Sequence, residues 1–583
     1  MGDRRAIRRP LHNTLPHDVR SRSDQPWTSS CAACSFAALV AIASLAISPG
    51  GAHAQRALGV GEDATVLPRG AVRVSAQATW SSYNELYGPG GQLESLGAPL
   101  SPDSLGVQQL AILRPLETSL RELAQQPNAN VTLGPVRSDF RARVARSAFL
   151  LDFGLTSRIQ LTGRLPYEHT ISEIVFDANP RGYASHAANV GPNPALAVTS
   201  GAVAQNRRVV DSLLQAANEL SGRLETCTTN PGDPVCTDRA RVEALVQDAR
   251  SFARGLAETY GVGADTARGS LFVPTVGSTL QSAISSRVAS INASFRTFIP
   301  ALSVWDTPFP AQVPVTAEQT QELLGDQLGI APIAVVERSH IGDVEVGAKL
   351  LLIDTYGSLR QARASSGGGL RLAVGGLVRL GTAQVDRPDD LADIGTGDGQ
   401  TDIEVSGIAD VVLTRRFWAS AVARYGRQLE DEKILRIPDV PRNPFLAAFR
   451  EQEVGRDLGD YVELEATPRF VYNDYLSISA QWTYRRKAED TYTGTFTVED
   501  PDGESVTLDA RALGVGTEQT EQRVGGGLSF STLRAFDRGR ARLPIEVHFL
   551  HTQVLSGSGY VPKRFASQLQ VRYYTRVFGA PLR

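Results

Sequence analysis

The chain has 583 residues, too many for one ordinary soluble domain but within the reach of a single large β-barrel. Its 59 Lys and Arg against 62 Asp and Glu give a net charge of −3, which excludes a polybasic nucleic-acid binder. After the leader no apolar run approaches eighteen residues, so no membrane-crossing helix is expected.

Residues 1–54 read as a cleavable secretory signal. Arg4, Arg5, Arg8, Arg9, Arg20 and Arg22 form a basic region, Phe36 to Ile47 an apolar run, and Ala52-His53-Ala54 a cleavage site before Gln55. Cys31 and Cys34 fall inside this leader. Cys227 and Cys236 therefore remain as an even pair in an exported protein, which predicts a disulfide.

Residues 55–70 form a periplasmic lead segment. From Ala71 the sequence alternates: Val72, Val74, Ala76, Ala78 and Trp80 on one face, Arg73, Ser75, Gln77, Thr79 and Ser81 on the other. One lipid face and one polar lumen face require this pattern. A polar loop with a short helix near Leu116 to Gln126 follows. Strands over Phe149–Leu155 and Ile159–Tyr167 then flank the tight turn Thr156-Ser157-Arg158, completing strands one to three within residues 71–170. The same device recurs at Thr414-Arg415-Arg416 and Asn473-Asp474-Tyr475, each turn keeping the apolar faces in register.

Residues 171–342 form a partly helical insert, a cap or plug. Val210, Leu213, Ala217, Leu220 and Leu224 have helical spacing, as do Val242, Leu245, Val246, Ala249, Phe252, Ala253 and Leu256, so Cys227 and Cys236 close the tip of a helical hairpin. A third helix starts at Thr316, with Gln319 completing a capping box. Either the insert gates the lumen or binds something, or it is an elaboration with no direct role.

Residues 343–583 supply strands four to twelve: Val344–Leu352, Leu370–Leu380, Ile403–Leu413, Phe417–Tyr425, Val462–Tyr472, Leu476–Tyr484, Val524–Phe530, Ile545–Phe549 and Leu569–Val577. Odd-numbered strands lead into long connections and even-numbered ones into short. Twelve antiparallel strands with this phase predict an all-β transmembrane barrel, with short turns and both termini in the periplasm. Thr491–Val498 and Ser505–Leu508 around Pro501-Asp502-Gly503 read as an outer hairpin; counted as strands, they would raise the number to fourteen.

The lumen face offers Arg73, Arg164, Glu345, Lys349, Arg371, Arg379, Asp402, Glu404, Asp410, Glu463, Glu465, Arg469, Arg485, Arg523, Glu546 and Arg572. Arg371 and Arg379 face Asp402, Glu404 and Asp410 on the next strand, and the turn register sets Glu463 opposite Arg485. This is either a charged constriction that selects solutes or cross-strand ion pairing that satisfies buried charge. Val72, Val74, Trp80, Tyr167, Phe470, Tyr472, Trp482, Tyr484 and Tyr573 are the lipid-facing and girdle residues. Asp386, Asp389, Asp390, Asp393 and Asp398 crowd one loop without EF-hand spacing and read as a solvated acidic loop. There is no G-x-S-x-G and no H-E-x-x-H, and His548 and His551 point to opposite faces, so neither a catalyst, a cofactor nor a metal site is expected.

Leu58–Gly70, Asp152–Arg158, Ile341–Lys349 and Ile394–Gly397 resemble outer-membrane barrel proteins of uncharacterised type. They are loosely similar to the barrel family linked to aromatic meta-cleavage pathways, and more distantly to long-chain fatty-acid transporters. The resemblance covers strands and turns but not the insert. It implies passive, porin-like uptake of small solutes, hydrophobic ones among them, and partners in outer-membrane lipid and the barrel-assembly machinery. Such barrels end on an aromatic, whereas here Phe578 is followed by five residues and is out of phase with Leu569, Val571 and Tyr573. A surface anchor or adhesion protein whose insert is the interacting part is the alternative, and an outer-membrane enzyme a further one.

Overall fold

The structure, a computed structural model, describes residues 60–181, 187–197, 200–263, 269–355, 368–414, 416–501 and 503–577; the leader and the Phe578 tail lie outside them. Twelve strands of the described residues close into an antiparallel barrel. They are β1 Ala71–Tyr83, β2 Val136–Gly154, β3 Ile159–Ala178, β4 Val344–Asp354, β5 Gly369–Leu380 and β6 Asp402–Val412. β7 Phe417–Gln428, β8 Tyr461–Val471, β9 Leu476–Lys487, β10 Gln519–Ser531, β11 Ile545–Ser558 and β12 Phe565–Arg576 complete it. Each strand pairs with its neighbours in sequence, and the β1–β12 ladder from Ala71↔Arg576 to Ser82↔Phe565 closes the ring without a free edge.

Three turns share one construction. Leu155, Leu413 and Tyr472 each donate N–H to the carbonyl of the residue four ahead, Ile159, Phe417 and Leu476. In each, the side-chain oxygen of the next residue, Thr156, Thr414 or Asn473, accepts the two N–H groups that close the turn. These turns and both barrel termini share one end, here the turn end; the long connections share the other, the loop end.

The outward face is apolar and solvent-facing: Val346 is 56% and Leu528 57% exposed, with Val405, Val462 and Ile478 beside them. A continuous apolar band on a closed barrel has no place in water and fits a lipid core. No helix among the described residues is long and apolar enough to cross a membrane. Tyr167, Phe470, Tyr472 and Trp482 are exposed on this face; Val72, Val74, Trp80, Tyr484 and Tyr573 share it, half-buried. Phe417–Phe470 and Tyr475–Phe530 ring pairs lie beside the turns, and Trp482 stacks on Tyr484 further along.

Two boundaries differ from the alternation pattern. β2 and β3 run 19 and 20 residues, so β3 ends at Ala178 and not near Tyr167. Their loop-end halves carry the pattern inverted: Phe140, Ile174 and Phe176 point inward into an apolar core, while Arg141 and Glu173 face out. The strand Val336–Ile341 pairs with β3 there, so the insert also ends earlier than its expected boundary. The last outer connection is only residues 559–564, because β11 continues as a ladder to Ser558 instead of ending near Phe549. The Thr495–Glu499/Ser505–Asp509 hairpin lies outside the barrel sheet.

The insert forms a helical cap together with one helix from the first outer connection. α1 Arg114–Ala124, α2 Ala202–Glu225, α3 Arg239–Tyr260, α4 Thr279–Arg296 and α5 Ala317–Leu328 share one core with Phe140 and Phe176. Leu120, Leu213, Leu220, Phe252, Leu256, Ile284 and Phe295 are buried in it. The Cys227–Cys236 disulfide closes the α2–α3 tip. The Thr316–Gln319 capping box forms in both directions. α4 carries Leu280, Ile284, Val288, Ile291 and Phe295 at helical spacing behind the N-cap Ser278, a signal present in the sequence but not read there.

Candidate functional site

The site is the barrel lumen. Inward faces of β1 through β12 enclose a cavity of about 800 Å³. Arg73, Arg164, Glu345, Lys349, Arg379, Asp402, Glu404, Glu463, Glu465, Arg485, Arg523 and Arg572 line it. Arg371, Asp410, Arg469 and Glu546 share the inward face but are buried toward the turn end, outside the cavity lining. None of the described residues 187–341 lines the cavity, so the helical cap does not fill the barrel.

What does enter the barrel is the lead segment. Residues 60–69, expected to precede the barrel as a periplasmic lead, lie across the lumen. Glu62 pairs with Lys349 at 3.1 Å and Arg424 at 3.0 Å. The Lys349 ammonium also donates to the Asp63 carbonyl at 2.8 Å. Ala64 donates N–H to Asp410, and Leu67 donates to Gln160 at 3.0 Å. Ala64 packs on Ala373, Ile408 and Val422; Leu67 packs with Ala71, Leu533 and Tyr574. Walls from β3 through β8 therefore grip one short segment.

Glycine makes this approach possible at two places. Gly61 has φ of +82°, and a Cβ there would sit 2.5 Å from Glu465 Oε1. A Cβ on Gly154 would lie 2.1 Å from the Pro68 carbonyl oxygen, backbone against backbone.

Charges in the lumen are largely paired. Arg379 bonds Asp402 at 2.6 Å and reaches Glu345 at 3.4 Å; Arg73 bonds Asp152 at 2.7 Å. Arg371 sits opposite Asp410 in register but bonds Asp354 at 3.2 Å. Glu463 and Arg485 are cross-strand partners in register, yet Glu463 bonds Arg424 at 2.7 Å. Arg424 collects Glu62, Glu463 and Glu465, with Glu404 at 3.8 Å. Arg485 instead lies over the Tyr461 ring, 4.3 Å from its centroid.

At the turn end lies a polar layer. His548 Nδ1 is 2.8 Å from Ser529 Oγ, and Nε2 is 3.6 Å from Glu546, which also accepts the Tyr574 hydroxyl. His548, Ser529 and Glu546 are buried and none lines the cavity; His551 faces outward, as the strand period requires.

The loop end is roofed by folded connections. Arg338 pairs with Asp393 at 2.8 Å, and the buried Arg436 donates to the carbonyls of Leu328, Gly329 and Leu446. The acidic loop is therefore not simply solvated: Asp390 and Asp393 are buried, and Asp390 pairs with Arg387. Burial pushes the Asp343 carboxyl at this rim up to about 6, against the N–H it accepts from Ala383. No group of acidic, His or Cys side chains among the described residues has the geometry to hold a metal ion.

No protein-family model and no curated protein matches the chain. Solved structures similar to it include an outer membrane channel from Pseudomonas putida F1 (8% identity, TM-score 0.38, covering 88% of this chain and 98% of that one). The translocator domain of the autotransporter NalP from Neisseria meningitidis matches with 7% identity and a TM-score of 0.27, covering 93% and 95%. The P. putida toluene transporter TodX matches with 7% identity and a TM-score of 0.23, covering 88% and 91%.

Proposed function

We propose that the protein is an outer-membrane channel for small solutes, closed at rest by residues 60–69, with its turn end and both termini toward the periplasm and the helical cap outside. The observation that carries this reading is the open lumen. Eight strands leave just enough room for side chains to fill a barrel, and twelve leave space beyond that. The sequence leaves side chains out of that space at Gly347 and Gly375, which line the cavity. An anchor needs neither a cavity of about 800 Å³ nor a separate segment held across it.

A surface anchor is the second reading, favoured by the large apolar core that the cap builds on the loop-end halves of β2 and β3. Planar-bilayer conductance and liposome swelling with purified protein separate the two. The channel reading expects low conductance from the whole protein and a larger, steady conductance once residues 60–67 are removed. No conductance and no swelling from either form refutes it and favours the anchor.

A further inference from the structure

The lumen's charges are not mixed at random around the wall. Carboxylates outnumber cations on β4 to β8, where Glu345, Asp402, Glu404, Glu463 and Glu465 line the cavity beside Lys349, Arg379 and Arg424. The opposite wall, from β9 round to β3, presents Arg485, Arg523, Arg564, Arg146 and Arg164. Arg564 is close enough to Arg523 and to Arg146 to be repelled by each, and Arg164 to be repelled by Arg146. Arg146 pairs with Glu168 at 2.6 Å and Arg164 reaches Glu345 at 3.5 Å, but the other three arginines are short of counter-charge. One carboxylate, Glu521, serves both Arg523 at 3.6 Å and Arg564 at 3.5 Å. Of the two carboxylates opposite Arg485 in register, Glu463 is held by Arg424 and Glu521 by Arg523 and Arg564. Among the described residues no carboxylate pairs with Arg485, and its plane lies on Tyr461 at the cavity edge.

From this we infer that the loop-end half of the lumen binds small organic carboxylates, with Arg485, Arg523 and Arg564 as the anion-recognising groups. A guanidinium fork matches a carboxylate in two parallel N–H···O bonds. In a water-poor cavity such bonds are stronger than at an open surface. The facing wall, where carboxylates outnumber cations, disfavours the same ligand and so directs its charged end to the other side. Val144 and Leu550 also line the cavity on the cationic wall and give the ligand's apolar body a surface. The ligand class is thus an amphipathic acid, one carboxylate on a small apolar body, rather than a neutral apolar molecule. The inference rests on the channel reading only in needing a lumen that solute can enter.

The test is equilibrium binding to the full-length protein in detergent, with benzoate as probe and benzyl alcohol as its uncharged counterpart. We expect saturable benzoate binding that weakens as salt is raised, and benzyl alcohol binding markedly weaker. Arg523→Gln/Arg564→Gln should weaken benzoate at least about tenfold, and Arg485→Gln alone should weaken it less; each lost charge-assisted bond is of that order. Arg427→Gln, on the outward face, should leave it unchanged. Slower migration of boiled than unboiled protein on a gel confirms that each variant is folded. No benzoate binding, or equal binding to the folded double variant, overturns the site even if the protein conducts. Benzoate binding by a protein that conducts nothing overturns the channel reading and leaves the site standing.

Discussion

Glu62→Gln isolates the charge that holds the lead segment in the lumen. The variant keeps the shape of the side chain but removes its attraction to Lys349 at 3.1 Å and Arg424 at 3.0 Å. Neither cation is stranded: Lys349 keeps the Asp63 carbonyl, and Arg424 keeps Glu463 and Glu465. The loss is therefore that of the charge-assisted contacts themselves, about 1.5–3 kcal/mol, without the larger penalty of an orphaned buried charge. That corresponds to about a tenfold to hundredfold shift between seated and released segment. Single-channel recording reads it as a rise in open probability of that size, with the open conductance matching that of protein lacking residues 60–67. If the variant and the truncated protein both gate and conduct like the wild type, residues 60–69 do not close the lumen.

Gly154→Ala attacks the same seat without touching charge. Its Cβ meets the Pro68 carbonyl at 2.1 Å, which no side-chain rotation relieves, so the segment should be destabilised by about 1–3 kcal/mol and open probability should rise as in Glu62→Gln. Arg436→Ala removes three N–H···O=C bonds to Leu328, Gly329 and Leu446 and should speed hydrogen exchange across α5 and the strand Asp431–Arg436, leaving barrel amides protected. Reducing Cys227–Cys236 should lower the melting of the α2–α3 hairpin by about 2–3 kcal/mol equivalent while the barrel's gel shift persists; peptide mapping that finds both thiols free in untreated protein removes the staple. For Asp343, whose folded value of about 6 lies above the ordinary carboxylate value, the folded state holds the proton more tightly than the unfolded chain. Stability from this group is present at pH 4 and lost as pH rises to about 6, by about 1–3 kcal/mol. Exchange of residues 381–401 should therefore quicken between those pH values in the wild type, and Asp343→Asn should flatten the profile.

The barrel itself was legible because its rule is local. Alternation at Val72, Val74 and Trp80, or at Ile403, Val405 and Val411, needs only the strand period and a lipid face, and each of the twelve strands follows it. The turns were legible for the same reason: Thr156, Thr414 and Asn473 each close a turn by bonds to residues two and three ahead. Where the environment changes, the rule inverts. Ile174 and Phe176 continue the face of Gln160 and Thr162, but beyond the lipid band that face meets the cap's apolar core. Apolar residues then mark the inside, so a reading tuned to lipid stops at Tyr167. β11 past Phe549 was lost in the same way: His551 and Gln553 leave the apolar face, yet the ladder continues to Ser558.

The lead segment was illegible for a different reason. Val60 to Leu67 has no periodicity, and its hydrogen-bond partners Gln160, Asp410 and Glu465 lie 93, 346 and 403 residues away. Cross-strand register alone matched Glu463 with Arg485, and the two do stand opposite. But register on the other side sets Arg424 opposite Glu463 as well, and Arg424 takes Glu463 together with Glu465 and the lead segment's Glu62. Arg485 lies on the Tyr461 ring, where it forms part of the proposed anion-recognising wall. Release of residues 60–67 frees one carboxylate contact on Arg424 and none on Arg485. The cationic wall should therefore persist when the channel opens, and benzoate should bind the protein lacking residues 60–67 about as well as the whole one. If benzoate affinity collapses with the truncation, the lead segment forms part of the anion site instead of only closing the path beside it.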